Sequence, residues 1–492
     1  MTILDLLDAA RRDRGTAPAI GDVTYDGLVA RAARVATGFA DVGIERGDRV
    51  AIYSENRQGF IDAYLGALGL GAVVVPTNVL YRSADLGHVL RDAAAKLVVA
   101  SAAQRPHVEG LDDPPPVIDI AHVEAWASGD GALHPGVRVR DDEIAVIVYT
   151  SGTTGRSKGA MLPHGAIAAI ATQVASAWRW SSSDTLYIAL PLFHLHGLGA
   201  ALNGSIAAGG RIIIEPRFDA ARTLDVLRRD DVTMFFGVPT MYVRLLEALG
   251  SAPAPRLRVC VSGSAALDAT TFETFRERFG MEIVERYGAT EFGFALTNRY
   301  GGTRVPGSVG IPFAGVSVRV VDADANDVAD GAVGELLVHG PNVFAGYWRD
   351  PQKTAEAFLT GSDGRRWYRS GDLARYDIEH GVYRIVGRQK ELIISGGFNV
   401  YPREVESEID GFPGVRASAL VGVADAARGE IPVAFIEADE VDPAALLAYL
   451  GARLASFKLP KRMHRVDALP RNALGKIEKH RLAEPAVPGA SL

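Results

Sequence analysis

The densest chemistry in the chain lies in Tyr149-Thr150-Ser151-Gly152-Thr153-Thr154-Gly155-Arg156-Ser157-Lys158-Gly159. Glycines let a backbone approach a ligand closely and expose its N–H groups, while the hydroxyls of Thr150, Ser151, Thr153 and Thr154 add donors. Arg156 and Lys158 add positive charge, so the stretch has the makings of a polyphosphate clamp. It is not a Walker A loop, because no glycine stands five positions after Gly152 and Gly159 follows Lys158 where Ser or Thr is required. The apolar run 144–149 before it reads as a buried strand and the Ala-rich run 165–177 after it as a helix, which predicts a strand–loop–helix setting.

The elements that must position this loop alternate along the chain. Residues 25–42, 60–70 and 82–94 read as helices, and 49–53, 72–75 and 96–100 as strands, a βαβ pattern that predicts a largely parallel, helix-covered sheet. Residues 101–140 read as a connection. Strands are predicted at 185–190, 211–214, 233–236, 257–261 and 282–284, with loops 191–197, 237–240, 262–265 and 285–291 gathered at one sheet edge, where open α/β sheets bind ligands. Past Gly301, short strands at 315–321, 334–339 and 382–386 suggest a small β subdomain, and a compact α+β unit follows. The expected fold class is α/β. A large N-terminal domain, 1–389, holds parallel α/β sheets and the β subdomain, and a small mobile α+β domain covers 390–492.

At 492 residues the chain is too long for one compact core. A net charge of −7 argues against nucleic acid as a partner. The single cysteine, Cys260, excludes an internal disulfide and a multi-cysteine zinc site. No basic-then-apolar leader and no apolar run near the ~20 residues of a membrane span is visible, so a cytoplasmic location is expected.

Counting the opening stretch, six pieces stand in order: Tyr149-Thr-Ser-Gly-Thr-Thr-Gly155, Tyr287-Gly-Ala-Thr-Glu291, Tyr368-Arg-Ser-Gly-Asp372, Gly387-Arg388, Ser395-Gly-Gly397 and Pro470-Arg-Asn-Ala-Leu-Gly-Lys476. In this order and at these separations the chain resembles, over nearly its whole length, the adenylate-forming superfamily of acyl-CoA synthetases, firefly luciferases and nonribosomal peptide adenylation domains. The resemblance implies ATP, Mg²⁺ and coenzyme A as cofactors and co-substrates. A carboxylate offers a thiol no leaving group; ATP supplies one by converting it to an acyl-adenylate, from which AMP departs when the thiol attacks.

The resemblance also implies roles. Thr150, Ser151, Gly152, Thr153, Thr154, Gly155 and Lys158 would hold the β- and γ-phosphates, Thr290 would touch the α-phosphate, and Glu291 would hold Mg²⁺. Tyr287, followed by Gly288, would stack on adenine, with Gly263, Ser264 and Ala265 along its edge. Asp372 would bind the ribose hydroxyls with Arg388 in support. Lys476, otherwise an ordinary solvated charge, matches the family's adenylation lysine. Lys390 falls at the hinge, and Ser395, Gly396 and Gly397 face the pantetheine tunnel.

The acid is a separate question. His194-Leu-His196 and Arg286 are unusual near the acyl pocket of a fatty-acid enzyme, and a cationic pair of His196 with Arg286 suits a second carboxylate. These features resemble malonyl-CoA synthetases, which implies malonate or a related short dicarboxylate. Phe292-Gly-Phe-Ala-Leu296 departs from that subfamily's polar wall, leaving methylmalonate, another short diacid, or a medium-chain, aromatic or branched monoacid open. A luciferase-type oxidase, transfer to an acyl carrier protein in trans instead of CoA, and a binding-only pseudoenzyme are the rivals. Monomer and homodimer are both compatible with the sequence.

Overall fold

The computed structural model describes residues 1–150, 157–229, 231–302, 304–396, 398–425, 428–472 and 475–482. Two large sheets dominate it. One has seven strands, in the order Gly346–Tyr347, Lys158–Pro163, Ile144–Thr150, Val73–Pro76, Arg49–Tyr53, Ala95–Ala100, Val117–Asp119. The other has nine, in the order Ile311–Pro312, Gly293–Thr297, Val284–Ala289, Val259–Ser262, Met234–Gly237, Thr185–Ile188, Arg211–Ile214, Pro18–Ile20, Val23–Thr24. The strands of the βαβ units pair in parallel, as the alternating pattern requires.

Strand alternation explains the layering. In Arg49–Tyr53, Val50 and Ile52 enter a core shared with the second sheet, while Ala51 and Tyr53 enter a separate core on the opposite face. The shared core takes up the helices Tyr25–Asp41, Gln58–Gly69 and His164–Ala177. Pro239–Leu249 and Ala269–Phe279 cover the far face of the nine-stranded sheet, where fully buried Cys260 packs as a small hydrophobe. The result is helix, sheet, helix, sheet, helix.

Three expectations are corrected. The phosphate-loop motif does not run from strand to helix: Lys158–Pro163 folds back antiparallel on Ile144–Thr150, and only then does the helix His164–Ala177 begin. The connection 101–140 contains the helices Arg105–Glu109 and Ile120–Ser128 and the edge strand Val117–Asp119, because Val108, Ile120, Val123 and Ala127 supply enough apolar surface to dock them. Residues 285–289 are strand, not loop; Val284–Ala289 continues past the parallel sheet and returns as antiparallel Gly293–Thr297.

The small β unit is a five-stranded antiparallel sheet in which Arg366–Asp377 pairs with Val382–Arg388. Beyond the short 3-10 turn Gln389–Glu391 lies another five-stranded sheet, built from Ile393–Ser395, Phe398–Val400, Val415–Asp425, Gly429–Ala438 and Arg462–Val466, with the helices Pro402–Asp410 and Pro443–Gly451. Among the described residues no helix is long and apolar enough to cross a membrane.

Candidate active site

The strand Val284–Ala289 meets the β unit where Tyr287 reaches Asp372. Within that unit, Asp372 and Arg388 stand opposite each other in an antiparallel pair, and Arg388 Nε lies 3.1 Å from Asp372 Oδ1. The second carboxylate oxygen of Asp372 accepts a 2.5 Å hydrogen bond from the Tyr287 hydroxyl. Burial, reinforced by the Asp372 carboxylate, holds the Tyr287 phenol far above its ordinary range. The three residues form one pre-paired unit. Gly288 is obligatory next to it, because a Cβ there would fall 1.9 Å from the Gly293 carbonyl oxygen, where the two strands close a bulge.

Glu291 lies one turn further on. Burial pushes its carboxyl up, and the Tyr347 hydroxyl donates to Oε1 at 3.1 Å. Lys158 Nζ sits 5.3 Å above the Tyr347 ring, so Lys158, Tyr347 and Glu291 form a row. Thr290 is partly covered beside it. Among the described residues no group of three or more His, Cys, Asp or Glu side chains is placed to hold a metal. A buried carboxylate with one neutral donor suits a hard cation that takes its other ligands from phosphate oxygens and water. Tyr347 went unrecognised in the sequence because its importance comes from the pairing of Gly346–Tyr347 with Lys158–Pro163, about which no local pattern speaks. Ser151, Gly152, Thr153, Thr154, Gly155 and Gly397 lie outside the described residues.

The other end of the site is built differently. Arg286 is buried on Val284–Ala289; its Nη2 donates to Ser264 Oγ at 3.1 Å and its guanidinium carbon stands 4.3 Å from the Phe294 ring centroid. Its Nε has no hydrogen-bond partner, and burial lowers the guanidinium to about 9. Glu285 does not neutralise it, since adjacent strand residues point to opposite faces. Glu285 is buried elsewhere, its carboxyl pushed up to about 7 by burial and pulled back in part by Arg403. Gly263 makes room for the arginine: a Cβ there would lie 2.3 Å from Arg286 Nε. Ser264 adopts the left-handed φ of 69° and its hydroxyl accepts from the guanidinium, so its side chain is tied to Arg286.

His196 opens a π-helical turn, His196–Leu202, of the kind that often marks functional sites. It is buried, stacked 6.1 Å from Phe236, and neither ring nitrogen has a partner. Burial first, then Arg286 and His194, hold it well below the usual imidazole range. The expected cationic pair is therefore corrected: Arg286 carries the charge, and His196 is a neutral ring with one N–H to donate. His194, lowered to about 4 by burial, is neutral as well, and its Nε2 also lacks a partner.

The C-terminal unit completes the site. Gly475 packs so tightly on Thr240 that a Cβ would lie 2.6 Å from its Oγ1, and the next residue, Lys476, faces Arg388, Asp372, Glu391 and Lys479. Burial and Arg388 hold the Lys476 ammonium below its ordinary range, opposed by Asp372 and Glu391. Lys390 is exposed in the 3-10 turn. Ser395 is buried with its Oγ unpartnered, and Gly396 takes the left-handed φ of 59°. The structure thus brings together Tyr287, Asp372, Arg388 and Lys476, then Lys158 and Glu291 on either side of Tyr347, and Gly263 and Ser264 around Arg286, whereas Lys390, Ser395 and Gly396 stand on the C-terminal side.

The paired Asp372, Arg388 and Tyr287, which can grip a sugar, the Glu291 carboxylate, which suits a cation, and Lys476 facing Asp372 and Arg388 fit an enzyme that activates carboxylic acids with a nucleotide. A family model for the AMP-binding enzyme matches residues 8–348, and one for its C-terminal domain matches 404–476. A feruloyl-CoA synthase of Amycolatopsis sp is 35% identical over 96% of this chain and 94% of its own. A sulfoacetate–CoA ligase of Cupriavidus necator is 34% identical over 94% and 92%. The crystal structure of ATP-bound MatB from Rhodopseudomonas palustris superposes with a TM-score of 0.89 at 38% identity, covering 98% of both chains. The chain belongs to the AMP-binding, adenylate-forming family and is an acyl-CoA ligase of the AMP-forming type.

Proposed function

We propose that the protein ligates CoA to a short acid bearing a second anionic group, with malonate the leading candidate. The observation that carries this reading is the buried Arg286 guanidinium, charged, without a carboxylate partner and beside a neutral His196 with two free ring nitrogens. A buried cation is costly unless it is paired, so the pocket favours a ligand that brings the anion. The bidentate fork of Arg286 would take the distal carboxylate and His196 would donate one further hydrogen bond. MatB, a malonyl-CoA synthetase, and the sulfoacetate ligase both support the choice. Phe294, lying over the guanidinium, favours a short acid over a long chain, because it and Phe236 fill the wall around His196.

In the first half-reaction the proximal carboxylate oxygen would bond to the α-phosphorus of ATP as the bond to pyrophosphate breaks. Lys476 would meet the carboxylate and α-phosphate, with Thr290 beside it. The phosphate-loop motif and Lys158 would hold the leaving pyrophosphate. Asp372 and Arg388 would grip the ribose, and Tyr287 would carry adenine. Glu291 would hold Mg²⁺, which neutralises phosphate charge. In the second, a thiol would displace AMP after the C-terminal unit, residues 390–492, turns about Lys390 to bring residues 395–397 to the acyl group; free CoA is the expected thiol.

The test is AMP release dependent on both ATP and CoA, with malonate, methylmalonate, sulfoacetate, octanoate and benzoate. Arg286→Ala should cut kcat/KM for the best diacid by about 10–100-fold, as the loss of a charge-assisted hydrogen bond implies, while leaving a monoacid unaffected. Equal activity of the variant on the best diacid would remove the dianion reading.

A further inference from the structure

Three residues after Lys476, a second lysine opens the short 3-10 helix Lys479–Arg481. Its side chain is only 19% exposed, and Nζ lies 2.7 Å from Glu406 Oε1 and 3.1 Å from Glu391 Oε2. Glu406 belongs to the helix Pro402–Asp410 and also accepts the Leu420 N–H at 2.7 Å. Glu391 ends the 3-10 turn that leads out of the strand Val382–Arg388. Burial works against the Lys479 ammonium, but Glu406 and Glu391 outweigh it.

Lys476 lies in the returning arm of a hairpin whose base leads directly into Lys479. Arg471 and Ile477 form a bridge, Asn472 N–H donates to the Lys476 carbonyl at 2.9 Å, and Lys476 N–H donates to Asn472 Oδ1 at 3.0 Å. Glu478 N–H closes the base on the Pro470 carbonyl at 2.8 Å. The Glu391 carboxylate faces Lys479, Arg388 and Lys476 together, and it binds Lys479. Lys476 Nζ has no ion-pair or hydrogen-bond partner among the described residues.

A carboxylate beside two lysines can hold either one. We propose that Lys479 is a positioning residue that occupies Glu391 and so keeps the Lys476 ammonium free for the substrate. An ammonium already bound to Glu391 would have to leave that partner before meeting the reacting carboxylate and phosphate, a reorganisation that a preorganised site avoids. Without Lys479, Glu406, whose side chain is 15% exposed, and the more open Glu391 would share too little positive charge, and Lys476 is the next lysine facing Glu391. The inference rests on the reading of Lys476 as the adenylation lysine.

The experiment measures ATP–pyrophosphate exchange against pH with the best acid, alongside thioester formation from supplied acyl-adenylate. Lys479→Met should lower exchange kcat by about 10-fold, the cost of displacing a charge-assisted pair, with KM for ATP nearly unchanged and thioester formation largely spared. Its alkaline limb should move to higher pH: Lys476 acts as the ammonium, and losing a neighbouring cation while gaining Glu391 both favour that form. Glu391→Gln in the Lys479→Met background should restore most of kcat and bring the limb back. Glu391→Gln alone, which leaves Lys479 bound to Glu406, should move the limb to lower pH and serves should Lys479→Met fail to melt cooperatively. Wild-type exchange in Lys479→Met, or a limb unmoved in either variant, would overturn the inference. Lys476→Ala is the control: exchange that survives it removes the reading of Lys476 itself, whereas its loss with Lys479→Met unaffected removes only the role of Lys479.

Discussion

The two ends of the site differ in how their polar groups are satisfied. At the nucleotide end, Asp372 is held by Arg388 and Tyr287, and Glu291 by Tyr347; each has a partner before any ligand arrives. At the other end, Arg286 Nε, both nitrogens of His196 and His194 Nε2 have none among the described residues. A buried polar group without a partner costs more than the average hydrogen bond returns, so such groups persist where a ligand completes them. The satisfied end fits a nucleotide that every turnover shares. On the reading proposed above, the unsatisfied end is where the acid would be selected.

The contrast breaks first at the lysine that should bridge the two ends. Lys476→Ala should lower acyl-adenylate formation by about 10²–10³-fold, the scale of losing one preorganised charge-stabilising donor, and should spare thioester formation from supplied acyl-adenylate. Pyrophosphate exchange and single-turnover thioesterification separate the two. Equal losses in both half-reactions would mean that Lys476 does not act on the adenylation step alone.

A smaller effect sharpens the acyl side. Gly263→Ala places a methyl 2.3 Å from Arg286 Nε, so the guanidinium must move while its charge stays. The expected outcome is a loss of about 5–10-fold in kcat/KM for the diacid, less than for Arg286→Ala because the charge-assisted bond is bent and not removed. KM for ATP should hold. A change in KM for ATP with none for the acid would place Gly263 on the adenine side, as the sequence alone suggests.

Most of the scaffold was legible because it is local. Arg49–Tyr53 and Arg211–Ile214 follow from short β-branched runs, Gly334–His339 from a short apolar run after a turn, and the long helices from apolar periodicity. The hairpin after the phosphate-loop motif was not, since Lys158–Pro163 carries no strong strand pattern and is ordered by its pairing with Ile144–Thr150. Residue types at the site could be read from spacing, but their protonation could not. His196 looks like a cation in sequence and is neutral in the fold, because burial beside Arg286 is a property of packing. Tyr347 and Lys479 were missed for the same reason: the partners that give them meaning, Glu291 and the pair Glu391 and Glu406, are distant in the chain.

Tyr347 offers the mildest test, at the satisfied end. Tyr347→Phe removes the 3.1 Å hydrogen bond to Glu291 but keeps the ring beneath Lys158. One hydrogen bond is worth about 0.5–1.5 kcal/mol net, so pyrophosphate exchange should fall only about 2–10-fold, with the diacid-to-monoacid ratio unchanged. Tyr347→Ala removes the ring as well and should cost more, because Lys158 then loses its aromatic support. If Tyr347→Phe instead altered the choice of acid and left the dependence on Mg²⁺ and ATP untouched, the two ends would not be separable, and the unpaired groups around Arg286 would need another explanation than selection of the acid.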